Sequence, residues 1–126
     1  MSGGGAPVSR GRRPKIAIEE AERHAAALGY EVLVPNVDWA PYDFMAVRQG
    51  SAVLVRVRRI KYNRYSVGEI EHSCSREIAA LRNTIFPGHP GRELWVRGCH
   101  RNFHRYRVLP DRVEALKRDH PEKTPG

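Results

Sequence analysis

The residues able to do chemistry are mostly cations, and they are clustered. From Phe44 to Gly68 stand Arg48, Arg56, Arg58, Arg59, Lys61 and Arg64, with no acidic residue among them. From Arg92 to Arg107 come Arg92, Arg97, Arg101, Arg105 and Arg107 against the single Glu93. A third cluster, Arg10, Arg12, Arg13 and Lys15, sits in the acid-free N-terminal stretch. Tyr62, Tyr65, Trp95, Phe103 and Tyr106 interleave with these clusters. Arginine predominates over lysine, and its planar fork suits two parallel hydrogen bonds to a phosphate. Across the chain 22 Lys and Arg against 14 Asp and Glu give a net charge of +8 and a pI near 10.1. That balance says nothing of fold but points to a polyanionic partner. Nucleic acid, DNA first, is the leading class.

These side chains need a scaffold, and the sequence predicts one. Its 126 residues suit one domain, expected over 14–120. Residues 1–13, rich in Gly, Ser and Arg, read as a disordered basic arm, and 121–126 as a frayed tail. Pro14 opens a helix on which Ile18, Ala21, Ala25 and Leu28 recur at helical spacing, and Gly29 ends it. Tyr30, Val32 and Val34 alternate as a strand. Tyr42–Arg48 and Ala52–Ile60 are two more, paired antiparallel through the turn signal Gln49-Gly50. Ser66 with Glu69 has the form of a capping box, opening a helix with Ile70, Cys74, Ile78, Leu81 and Ile85 on one stripe. Strands at Glu93–Val96 and Phe103–Leu109 follow, the latter at a sheet edge, then a short helix from Pro110 through Leu116. The expected class is α/β with a mixed α+β sheet.

The order of elements, Asp43 on the second strand within PYDFMAV, and a charged pair two residues apart on the third within VLVRVRRI together resemble the PD-(D/E)XK nuclease-like superfamily. Its small archaeal members similar to Holliday junction resolvases are the nearest likeness. The resemblance covers Ile16 to Leu109. It implies a restriction-endonuclease-like αβββαβ core, here with an additional C-terminal strand and short helix. In such nucleases an Asp and a Glu-x-Lys hold Mg²⁺, a hard cation that takes oxygen ligands and activates a water against the phosphate. Residues two apart on a strand share a face, which is why the lysine can follow the carboxylate. Here the Asp falls on Asp43, with Tyr42 where the family has proline, and the Glu-x-Lys falls on Arg56-Val57-Arg58. Arginine only donates and stays cationic. One carboxylate beside two guanidinium groups favours an ion pair over a metal site.

The chain is therefore expected to bind nucleic acid without cleaving it and to need no cofactor. Arg48, Arg56, Arg58, Arg59, Lys61, Arg64, Arg97, Arg101 and Arg105 are the expected contacts. The alternative is a Mg²⁺-dependent endonuclease using Asp43 and a carboxylate relocated to Glu69, Glu71 or Glu77, with Glu19, Glu20 or Glu22 as the accessory acid. Another is a subunit holding a protein partner. The resemblance also implies a homodimer. Cys99, His100, His104, His72 and Cys74 lack the paired spacing of a zinc site. His104 reads as a surface or phosphate-contacting residue, and Trp39 and Trp95 as core anchors rather than base-stacking platforms. Two cysteines make no disulfide framework, and no apolar run approaches the roughly 20 residues of a membrane span. A cytoplasmic protein is expected.

Overall fold

In the computed structural model, which describes residues 13–37, 39–61, 66–98 and 102–116, Pro14 caps helix α1 (Lys15–Ala27). Ala17, Ile18, Ala21 and Ala25 form its buried stripe, and Gly29, at φ +94°, turns the chain out of the helix. Strand β1 (Glu31–Leu33) pairs antiparallel with β2 (Phe44–Arg48), and β2 with β3 (Ser51–Arg59). Gln49 and Gly50 both have positive φ, 50° and 79°. That is what a two-residue hairpin turn matched to the strand twist demands.

From β3 the chain crosses over through α2 (Val67–Ser73) and α3 (Ser75–Asn83) to β4 (Gly91–Arg97), parallel to β3. Strands β5 (Phe103–Val108) and β6 (Val113–Ala115) add antiparallel, giving a six-stranded sheet in the order β1-β2-β3-β4-β5-β6. Side-chain alternation splits the core into two layers. Phe44, Ala46, Val55, Val57, Trp95 and Phe103 pack against α1. Leu54, Leu94, Val96, Tyr106 and Val108 pack with Ile70, Cys74, Ile78 and Leu81 of α2 and α3. Each such fully buried Leu or Ile contributes about 1.5–3 kcal/mol. The fold is thus mixed α+β, with the αβββαβ order in place.

Four expectations are corrected. The helix after Ser66, whose capping box is present, bends at Cys74 (φ −111°, ψ 27°) into α2 and α3. At the bend Arg58 Nη1 donates to the Ser73 carbonyl at 3.1 Å. The backbone bonds Cys74 N–H to Ile70 and Ile78 N–H to Cys74 persist on either side, so the helix bends rather than breaks, and carbonyls that tilt out toward an outside donor are one source of such curvature. Ile85 is not on the buried stripe but 97% exposed, because α3 stops at Asn83 and Thr84 is extended. Pro87 also disfavours helical geometry at Phe86. The segment after Pro110 is no helix: it turns tightly, with the Leu109 N–H donating to the Arg112 carbonyl at 2.9 Å, and continues as β6. β6 therefore covers β5, which is not an edge strand. The expected arm and tail lie outside the described residues, apart from Arg13. Among the described residues no helix is long and apolar enough to cross a membrane.

Candidate nucleic-acid interface

β2 begins at Phe44, opposite Val55, so Arg56 to Arg59 run on past it without a strand on that side. The segment ahead of β2 takes the strand's place. The Asp43 N–H donates to the Val55 carbonyl at 2.7 Å, and the Asp43 carboxylate accepts the Val57 N–H at 2.7 Å. A buried N–H with no acceptor would cost about 1–3 kcal/mol, so the carboxylate finishes the ladder that β2 leaves open. Its other oxygen accepts from Arg13 Nη2 at 3.2 Å. Asp43 is 0% exposed. One turn of chain further back, Arg56 Nη1 donates to the Pro41 carbonyl at 2.8 Å, and Arg56 is 7% exposed.

Of the three helix-one acids, Glu22 lies in the field of Asp43. Its carboxyl is raised above the ordinary value by burial and by Glu19, against Arg13, with Asp43 raising it further and Arg23 lowering it. Glu20 serves elsewhere, in a 2.8 Å ion pair with buried Arg97. Arg58 leans onto the α2–α3 side, both oxygens of Glu77 lying 3.2 Å from its Nη1. Glu69 is occupied in the capping box with Ser66, leaving Glu71 exposed on α2.

This donor set does not fit Mg²⁺. Both Asp43 oxygens already accept hydrogen bonds, one from a guanidinium, and the neighbouring position on β3 carries a donor-only Arg56. Among the described residues no group of three or more His, Cys, Asp or Glu could hold a metal ion. The geometry provides a closed ionic joint between the segment before α1 and the sheet.

The nine expected phosphate contacts divide. Arg48 sits at the far end of β2, donating to the Leu28 carbonyl at 2.7 Å with its guanidinium 4.3 Å above the Tyr30 ring. Arg56, Arg97 and Arg105 are buried, and none of the three presents a free surface to phosphate. Arg105 Nη2 lies 3.0 Å from Glu93 Oε1, which also accepts from Trp95 Nε1 at 2.9 Å. Arg58 is half-exposed, while Arg59 and Lys61 are exposed at the end of β3. Arg64 and Arg101 lie outside the described residues, as do Cys99 and His100. Cys74 is a core residue whose thiol burial pushes up to about 11.

Besides those three buried arginines, sequence reasoning misplaced a tryptophan. Trp95 is the core anchor expected, at 1% exposed, but Trp39 is 79% exposed on the segment that leads to Asp43. Neighbouring residues gave no local signal for this, since whether a ring is covered depends on chain far away in sequence. His24 was also missed as a core contact, its ring stacked 5.6 Å from Phe103 and edge-on to Trp95 at 5.8 Å.

No protein-family model matches the chain, and no curated protein matches its sequence. Among solved structures it is similar to Hjc, a Holliday junction resolvase from the archaeal hyperthermophile Archaeoglobus fulgidus. The TM-score is 0.45 and the identity 9%, over 79% of this chain and 86% of that one.

Proposed function

We propose that the chain binds nucleic acid, with DNA the first polymer to test, through the end of β3 and does not hydrolyse it. The observation that carries this reading is the enclosure of Asp43: a fully buried carboxylate with both oxygens engaged has no place for a metal-bound water. Beside that closed joint Arg59 and Lys61 stand exposed, and among the described residues neither has a carboxylate within ion-pair distance. Cations of this kind attract phosphates without reading sequence, by releasing condensed counterions.

Fluorescence anisotropy at about 50 mM salt tests binding, since the counterion term is strongest at low salt. The expected result is binding of duplex and single strands alike in base sequence preference, weakening steeply as salt rises. Replacing Arg59, Lys61 and Arg64 by Ala flattens that dependence for all sequences. Absence of binding to duplex, four-way junction and RNA transfers the basic face to a protein partner. Incubation of labelled DNA with Mg²⁺ or Mn²⁺ leaves it intact. Robust cleavage abolished by Asp43→Ala would overturn the non-hydrolytic half of the reading.

A further inference from the structure

We propose that Trp39 is a stacking platform for an unpaired base, so that the interface favours single-stranded nucleic acid over continuous duplex. This rests on the nucleic-acid-binding reading and assigns its substrate class.

The ring is exposed on a backbone that is held on its sheet side. Ala40 beside it is buried, the Pro41 carbonyl is bound by Arg56, the Tyr42 ring meets Phe86 edge-on at 6.3 Å, and Asp43 is locked to Val57. On the other side the Ala40 N–H reaches back to the Val37 carbonyl at 3.4 Å. Four consecutive anchors fix the chain that carries an indole 79% open to water. A large ring presented on a pinned backbone loses little further freedom when a second flat ring covers it.

Location gives the occupant. Residues 41–43 run antiparallel beside residues 55–57 of β3, with Trp39 two residues before the first stretch and the exposed cations Arg59 and Lys61 two and four residues after the second, which directs ring and cations toward the same end. Single-strand sites combine these two elements, cations that follow the backbone and an aromatic face on which a base stacks. A base inside a duplex is already stacked on both faces, so a single exposed ring distinguishes paired from unpaired bases without reading their identity. Leu33, Val34 and Val37, just ahead of Trp39 in the chain, are also exposed and make an apolar rim along it. A protein seated on that rim is the rival occupant, and the test separates the two.

Trp95 is buried, so a change in tryptophan emission on adding an oligonucleotide reports mainly on Trp39. The probes are an oligothymidine and a blunt duplex of equal length. Emission should be quenched by the oligothymidine and little by the duplex. Trp39→Ala should weaken oligothymidine binding about tenfold while leaving duplex affinity and its salt slope unchanged. Trp39→Phe should lose the quench yet keep most of the single-strand affinity. Thermal melting confirms that each variant folds, because the ring lies outside the core. Equal losses for both polymers, or none, overturn the stacking role while the binding reading stands. A shift from oligomer to monomer in Trp39→Ala with oligothymidine affinity intact assigns the ring to a protein contact and overturns it too. Anisotropy showing that the wild type binds neither polymer removes the parent reading and this one together.

Discussion

The two tryptophans of this molecule, and the arginines of the regions they belong to, meet opposite outcomes. On the α1 face of β4 and β5, Trp95 and Arg105 are enclosed, the guanidinium lying 5.0 Å from the ring and both groups bound to the Glu93 carboxylate. Trp39, on the connection from β1 to β2, and Arg59, the last residue of β3, stay in water. The same residue types serve structure in one place and present a surface in the other. A carboxylate within reach makes the difference. Buried guanidinium groups need protein acceptors in place of water: Glu93 and Glu20 supply carboxylates for Arg105 and Arg97, and the Pro41 carbonyl accepts from Arg56. Counting cations in the sequence therefore overstates the number available to phosphate.

Removing the central acid of the enclosed set should have the largest effect. Glu93→Ala takes the shared acceptor from Trp95 and Arg105, and breaking a buried pair of this kind costs about 3–5 kcal/mol. Urea denaturation measures the loss, and a change below about 1 kcal/mol would refute the contrast between the two regions. Asp43→Ala comes next, at about 2–3 kcal/mol, because it orphans the buried Val57 N–H. Arg13 is partly exposed and adds less. Asp43→Asn retains an acceptor for Val57 and should recover part of that loss.

The exposed set should respond in binding rather than stability. Arg59→Ala with Lys61→Ala should leave stability within about 0.5 kcal/mol. The slope of log affinity against log salt should fall by about 0.9 for each duplex phosphate contact removed. The smallest effect is expected at Glu22, whose carboxyl is raised above its ordinary value chiefly by burial and by Glu19. A raised acid gives up its proton less readily in the folded chain, so wild-type stability declines as pH climbs from the ordinary carboxylate range through the raised value. Glu22→Gln escapes that penalty. Thermal melts should place the variant slightly above wild type at pH 7, with the gap closing below the ordinary carboxylate pKa.

Local pattern determined much of this protein. The period of Ile18, Ala21 and Ala25 made α1, the valine-rich run over 52–60 made β3, and Gln49-Gly50 closed the hairpin that pairs β3 with β2. These are near-neighbour effects, since helical period, strand alternation and positive φ act within a few residues. Even the placement of Asp43 beside Arg56 and Val57 followed from that hairpin. Tertiary structure alone decided which charges are spent. Arg97 meets Glu20 across 77 residues and Arg13 meets Asp43 across 30. Alternation fixes the face from which a long side chain departs, but its charged head travels to wherever a distant segment brings a carboxylate. The two tryptophans follow the same logic: Trp95 is covered because α1 and β5 close over it, whereas among the described residues nothing comparable closes over Trp39.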